Sequence, residues 1–242
     1  MSIGMARIGF KAFHAATALA CAAATLVAGP LGAVSYAQPT RPAPALVPAS
    51  SNPGTQLQQI AASAKGESKA TFKLTYTSKS SGSSASQVTL EQKPPDQLFR
   101  SGTGEVLYNG KKTYYCSTEG PAPTCLVYGA PGQSPLASMM EIYSAAPYVT
   151  IMQGWGELIA ARVLGYRISF SRASFAGQHS ECVTWSYHGS MTEYCVTDKG
   201  ILAYVGGSGS GSSSSFELTA YSGHVNRSDF NLPQGAKIMS YP

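Results

Sequence analysis

Two cysteines flank a predicted β-hairpin. Cys182 and Cys195 lie at equal distances on either side of the dipeptide His188-Gly189. A two-residue turn at this dipeptide pairs Tyr187 with Ser190, and stepping outward rung by rung then pairs Cys182 with Cys195. The cysteine pair falls on a non-hydrogen-bonded rung, where opposite Cα atoms are about 4.5 Å apart. Because a disulfide can span that distance, the same register predicts both a hairpin and a bond across it.

Two further cysteines, Cys116 and Cys125, flank a second turn at Gly120-Pro121. These four cysteines allow three pairings, and the two turns favour Cys116 with Cys125 and Cys182 with Cys195. Metal binding is the alternative, but the sequence has no CxxC spacing and its four histidines are dispersed. We therefore predict no metal site and no cofactor. Two disulfides predict that the protein is secreted or extracytoplasmic, because such bonds persist in oxidising compartments.

The N-terminal segment also predicts export. Arg7 and Lys11 precede residues 12–37, which carry no charge and end in Ser35-Tyr36-Ala37. This pattern predicts a signal peptide over residues 1–37. Since the apolar run is longer than a usual signal-peptide core, an uncleaved anchor that associates the protein with the cytoplasmic membrane through residues 12–37 is an alternative. A third is lipidation of Cys21, which ends a lipobox-like sequence.

Charge and motif content exclude several classes of function. The chain has 17 basic and 12 acidic residues, and two of the basic ones lie in the first 37 residues. This small, scattered excess predicts no nucleic-acid partner. The sequence His179-Ser180-Glu181-Cys182 begins like a zinc deaminase motif, but no Pro-Cys-x-x-Cys follows it. The acidic residues are isolated from one another, so we predict no catalytic residues and no enzyme activity.

The hydrophobic pattern predicts one mainly β domain over residues 55–242, after a Pro-rich linker at 38–54. A short helix over Thr55–Ala64 places Leu57, Ile60 and Ala61 on one face. About eleven strands follow, six before and five after an apolar helical insert at 135–163. The first two strands are marked by alternating apolar residues on each side of a Ser/Gly turn at 80–86. A Gly/Ser tract at 206–215 is predicted to be a hairpin loop.

The layout resembles the LolA/LolB/LppX-like superfamily of extracytoplasmic lipoprotein carriers and lipid-binding lipoproteins. The closest local matches are the C-terminal sequence from Asp229 to Ile238, which contains Phe-x-Leu-Pro-x-Gly-Ala, and the sequence from Tyr194 to Ile201. The resemblance implies an α+β fold in which a strongly curved antiparallel half-barrel is covered by an N-terminal helix and a central helical lid. In that family, acyl chains occupy the cavity between sheet and helices.

A wide curved sheet offers more concave apolar surface than its own side chains fill, so a ligand cavity is also expected on physical grounds. Methionines in the insert suit such a cavity because their side chains repack around varied apolar shapes. The alternative is that the insert completes a dry core. The candidate cavity residues are Phe72, Leu74, Tyr76, Val88, Leu90, Ile168 and Phe170 from the strands and Met139, Met140, Ile151, Met152 and Trp155 from the insert.

These observations predict a carrier that binds a lipid, an acylated molecule or another long apolar ligand between the curved sheet and the helical lid. The alternative is a ligand-free extracytoplasmic sensor or protein-interaction domain, tethered to a membrane if the N-terminal segment is retained. The sequence specifies neither the ligand nor the oligomeric state.

Overall fold

Thirteen strands of one sheet contain most of the residues that the computed structural model describes, which are 45–46, 53–64, 70–128 and 167–240. A helix, α1 (Pro53–Ala64), precedes β2, and a 3-10 turn, η1 (Arg227–Phe230), precedes β13. The strands are β1 (Ala45–Leu46), β2 (Phe72–Ser80), β3 (Ser86–Lys93), β4 (Asp96–Ser101), β5 (Gly104–Asn109), β6 (Thr113–Ser117), β7 (Thr124–Tyr128), β8 (Arg167–Phe175), β9 (Gln178–Tyr187), β10 (Ser190–Thr197), β11 (Leu202–Gly209), β12 (Ser212–Ser222) and β13 (Lys237–Ser240).

The strand order is β1-β8-β9-β10-β11-β12-β2-β3-β4-β5-β6-β7-β13. The predicted six and five strands are confirmed as two antiparallel meanders, β2–β7 and β8–β12, which join where β12 pairs with β2. The sequence did not predict β1, which lies within the 38–54 segment, or β13, which runs parallel to β7. Both are too short for an alternating pattern to mark them. They form the two edges of the sheet and do not pair with each other, so the sheet is unclosed.

The hairpin register predicted from the cysteines is confirmed. Tyr187 pairs with Ser190, and Cys182 pairs with Cys195. The turn between them has φ of 46° at His188 and 79° at Gly189, so both central residues are left-handed, as a two-residue hairpin of type I′ requires. The predicted disulfides join Cys182 to Cys195 and Cys116 to Cys125, each with a Cα–Cα distance of 4.0 Å.

The Gly/Ser tract at 206–215 is strand rather than the predicted loop. β11 continues to Gly209, β12 starts at Ser212, and only Ser210-Gly211 forms the turn. Pairing with β10 on one side and with β2 on the other satisfies the backbone of these strands. Glycine and serine carry no hydropathy alternation, so their conformation here is set by pairing with β10 and with each other, and by β2, which is distant in sequence.

Strand β9 of the curved sheet is buried on both sides. Successive strand residues point to opposite faces, yet neither Cys182 nor Val183 is exposed to solvent. Val183 packs with Leu57 and Ile60 of α1. Cys182 belongs to a second cluster, which contains Tyr76 of β2. The strands after the insert therefore have α1 on one side and the first meander on the other.

The predicted helical lid at 135–163 lies outside the described residues. So do its candidate cavity residues and the N-terminal segment, residues 1–37. The helix predicted at Thr55–Ala64 is confirmed with an earlier start at Pro53, a residue that suits the first turn of a helix. Its predicted core residues Leu57 and Ile60 are 3% and 2% exposed.

Peptide mapping without reductant should recover Cys116 linked to Cys125 and Cys182 linked to Cys195. Replacing Cys182 and Cys195 together with alanine should lower the free energy of unfolding by about 3 kcal/mol, because the unfolded chain regains the entropy that the closed loop removes. Chemical denaturation measures this loss. A peptide that links Cys116 to Cys182 would contradict the register.

Candidate functional site

Four large side chains on one side of β8–β10 form the candidate site, which we call the aromatic face: Ile168, Phe170, Trp185 and Tyr194. Ile168 lies directly opposite Trp185, while Phe170 and Tyr194 lie opposite Val183. Because Val183 and Trp185 are two residues apart in one strand, all of these side chains point to the same side of the sheet.

Helix α1 covers this face only in part. Its residues Leu57 and Ile60 pack on a cluster that includes Val183 and Trp185. Ile168, Phe170 and Tyr194 pack against the same cluster but remain half-buried. A helix of 12 residues is about 18 Å long and only about 10 Å across, so it covers a narrow band of the sheet. The aromatic face therefore offers apolar surface beside α1.

Two polar groups lie within this apolar surface. Trp185 is 7% exposed, and its Nε1 has no hydrogen-bond partner in the described part of the chain. The Trp185 ring meets the Tyr194 ring edge to face, with centroids 5.1 Å apart. Burial raises the pKa of the Tyr194 phenol, because the ionised form is poorly solvated there.

The sequence-predicted cavity residues of the strands fall into two clusters. Ile168 and Phe170 pack against the cluster of Val183 and Trp185, to which α1 also contributes. Phe216 packs against both clusters, and its ring stacks on Tyr76 with centroids 4.4 Å apart. Facing contacts with the insert stay a prediction, since those residues are not described. The other cluster contains Phe72, Leu74, Tyr76, Val88 and Leu90, all of them buried.

Sequence reasoning missed Trp185 and Tyr194, although its own register contained the signal. The cysteine pair places Cys182 and Cys195 on one side of the hairpin. The neighbours of the cysteines, and every second residue from there, must point to the other side. Extending that alternation by three residues from Cys182 reaches Trp185.

One face of the first meander packs in the cluster of Tyr76, and the opposite face carries a chain of ion pairs across four strands, which we call the ionic ladder. Lys73 of β2 lies 2.8 Å from Glu91 Oε1 of β3. Arg100 of β4 lies 3.3 Å from the same Glu91 oxygen and 2.6 Å from Glu105 Oε2 of β5. Both carboxylates are buried, whereas Lys73 and Arg100 reach solvent. Glu91 Oε2 and Glu105 Oε1 have no hydrogen-bond partner within the described ranges.

The C-terminal segment packs beside this ladder. Phe230 and Val225 form a cluster with Leu98 and Leu107, and Leu232 packs against it. Arg100 Nη2 also donates a hydrogen bond of 3.5 Å to the Asp229 carbonyl. Much of the Phe-x-Leu-Pro-x-Gly-Ala sequence thus lies on the outside of β4 and β5, away from the aromatic face.

One group of potential metal ligands lies within the described ranges: Cys182, Glu193 and Cys195. The two sulfur atoms are bonded to each other, which removes both thiolates that a metal would need. No helix among the described residues is both long and apolar enough to cross a membrane.

Neither a protein-family model nor a curated protein matches the sequence. Among solved structures, the chain is similar to MucB of Pseudomonas aeruginosa in a MucA/MucB complex, with 13% identity and a TM-score of 0.48, covering 79% of this chain but only 64% of that one. The chain is also similar to LprF from Mycobacterium bovis, with 11% identity and a TM-score of 0.36, covering 71% of this chain and 95% of that one. A third similar structure is the Mycobacterium tuberculosis lipoprotein LppX, with 13% identity and a TM-score of 0.35, covering 73% of this chain and 99% of that one.

LppX is one of the proteins that give their names to the superfamily that the sequence resembles. At these identities, the likeness concerns the fold.

Arg100→Met should destabilise the protein by about 3 kcal/mol, because it removes the cation that pairs with buried Glu105 and leaves buried Glu91 with Lys73 alone. Arg172→Met is the matched control. Arg172 pairs with Glu181 at 3.6 Å, where Arg172 is largely exposed and Glu181 is partly exposed. The control should cost at most about 1 kcal/mol in chemical denaturation. Equal losses in the two variants would contradict a structural role for the buried ladder.

Tyr194→Phe should make stability less sensitive to alkaline pH. Above pH 10.0, the ordinary tyrosine pKa, the unfolded chain loses the Tyr194 proton while the folded chain retains it. Unfolding is therefore favoured as pH rises through this range. Denaturation curves of wild type and variant between about pH 9 and 11 test this. If both fall with the same slope, the phenol is not desolvated.

Proposed function

We propose that the protein binds a lipid or another long apolar molecule outside the cytoplasm and holds it against the aromatic face. The observation that carries this proposal is the partial cover of that face: Ile168, Phe170 and Tyr194 lie beside α1 and remain half-buried. Contiguous apolar surface of this kind marks ligand grooves and interaction sites in soluble proteins.

The order of elements along the chain supports the same site. The apolar insert at 135–163 precedes β8, and Ile168 follows its end by only five residues. An insert with that many apolar side chains needs a surface to pack on. We propose that it forms the second wall of the binding site, with Met139, Met140, Ile151, Met152 and Trp155 toward the ligand.

The disulfides support the proposed extracytoplasmic compartment. Two cross-strand bonds are typical of proteins that fold in an oxidising environment. The N-terminal segment would deliver the protein there, either as a cleaved signal peptide or as an anchor through residues 12–37. A soluble carrier follows from the first possibility and a membrane-tethered acceptor from the second.

A protein-interaction domain is the second candidate, because one sheet edge suits strand addition. β13 is the outermost strand, and Ile238 and Met239 are 55% and 39% exposed. An edge strand offers unpaired backbone groups to an extended peptide, and exposed apolar side chains add contact area. MucB, in the structure compared above, is solved in a complex with MucA.

Ile168→Asp should abolish uptake of a fluorescent fatty-acid or phospholipid probe while lowering the melting temperature by only a few degrees. The reason is that Ile168 is half-buried, so its carboxylate reaches solvent without ligand but would be desolvated by an acyl chain. Met140→Asp should act in the same way if the insert is the second wall. Probe fluorescence and thermal unfolding are measured on the same samples.

Ile238→Asp is the matched control, since it makes the same change at an exposed strand position. It should leave both uptake and melting temperature unchanged. Lys73 is unsuitable as a control position because its ammonium lies 2.8 Å from Glu91. If wild type takes up no probe and organic extracts contain no lipid, the binding proposal is wrong and the interaction domain takes its place.

A further inference from the structure

The indole N–H of Trp185 is a buried donor in apolar surroundings. The side chain is 7% exposed, and Nε1 has no hydrogen-bond partner among the described residues. Its neighbours Leu57, Ile60 and Val196 offer no side-chain acceptor. Tyr194 carries the one hydroxyl among the described side chains that pack there, and Nε1 makes no hydrogen bond to it although the two rings are in contact. An unpaired buried donor costs free energy, and the great majority of such groups in native proteins are paired. An indole can only donate, so the missing partner must be an acceptor.

The rung of the sheet that carries Trp185 leads from the interior to solvent. Trp185 lies opposite Thr192, Thr192 opposite Gly207, and Gly207 opposite Ser214. Along this rung, exposure rises from buried Trp185 through half-buried Thr192 and Gly207 to exposed Ser214. We call Thr192, Gly207 and Ser214 the hydroxyl strip.

Glycine at position 207 keeps this strip shallow. A Cβ added there would lie 3.7 Å from Thr192 Oγ1 and 3.2 Å from the Met191 carbonyl oxygen. The side chain that any other residue carries would therefore cover the Thr192 hydroxyl. Because glycine has no side chain, a polar group of a ligand has room beside Thr192, which lies directly opposite Trp185.

The hydroxyl strip contains no charged residue. On the same side of the sheet, Arg172 lies four residues along β8 from Ile168, a distance of about 13 Å. Its guanidinium is paired with Glu181 at 3.6 Å. Arg167 and Lys79 are closer in sequence position, next to Ile168 and to Ser80 opposite Ser214, but strand alternation directs them to the other side of the sheet. A ligand carboxylate or phosphate on the strip would therefore lack a free cation on its own side among the described residues, whereas an uncharged polar group would not need one.

We propose that Trp185 Nε1 donates a hydrogen bond to the ester or amide carbonyl of an uncharged acyl ligand. The acyl chain lies on the aromatic face, and the neutral head group lies along the hydroxyl strip. This inference rests on the proposed lipid-binding function and names its ligand class and the residue that orients it.

Three probes with the same chain length test the proposal on the purified protein: monoolein, 1-octadecene and oleate. Wild type should bind monoolein about tenfold more tightly than octadecene, because one buried hydrogen bond is worth roughly that factor. Trp185→Phe should abolish this preference while leaving octadecene affinity unchanged, since the apolar ring is retained. Tyr114→Phe, which removes one polar group on the outer side of the sheet beside the Phe230 cluster, should preserve the preference.

Indole proton resonances provide a readout that does not depend on folding of the variant. The chain has two tryptophans, so two indole N–H signals are expected in a nitrogen-edited spectrum. Monoolein should move the Trp185 signal downfield, as a new hydrogen bond does, and octadecene should not. The signal that disappears in Trp185→Phe belongs to Trp185. Equally, the one signal that remains in Trp155→Phe belongs to Trp185.

The outcomes separate the inference from the proposed function. If the monoolein preference persists in Trp185→Phe, or if the Trp185 signal moves equally with octadecene, the inference is overturned while lipid binding stands. Tighter binding of oleate than of monoolein overturns the uncharged head group. If wild type binds none of the three probes, the proposed function fails, and the inference fails with it.

Discussion

The register of the β9–β10 hairpin determines which side chains meet on each side of the second meander. The left-handed turn at His188 and Gly189 and the bond between Cys182 and Cys195 specify the same register. A slip of one residue would turn every side chain of a strand to the opposite face. The cysteines would then lie beneath α1, and Trp185 would face the core of the first meander.

The first meander is held by a different kind of interaction. On its outer side, Arg100 joins two buried carboxylates from neighbouring strands and reaches the backbone of the C-terminal segment. Apolar contacts of Phe230 with Leu98 and Leu107 seal the same region. A charged ladder on one side leaves the other side free to supply apolar residues such as Leu74 and Tyr76 to the core. The two halves of the sheet thus meet through one shared apolar cluster.

Local patterns were enough to predict the two meanders, because alternation and turn residues mark each hairpin within a few positions. They could not predict that Ser212–Ser215 would be strand, since these serines carry no alternation of hydropathy and β12 is also held by β2, more than a hundred residues away. The separation of Ile168 and Phe170 from Leu74 and Tyr76 likewise arises from curvature of the whole sheet. Alternation from Cys182 predicts the side of the sheet on which Trp185 lies, but its unpaired N–H depends on three-dimensional surroundings that no local pattern contains.

The junction of β12 with β2 has a consequence for how the chain folds. Tyr76 donates a hydrogen bond to the carbonyl of Leu202, 126 residues later, and pairs with Leu218. The hairpins close short loops, but this contact closes a very long one, and non-local pairings of that kind slow folding. While the chain is synthesised or exported from its N-terminus, β2 must wait as an open edge until β12 emerges. During that interval, a chaperone or a neighbouring chain competes for β2, so the yield of native protein depends on how quickly the last quarter of the sequence arrives.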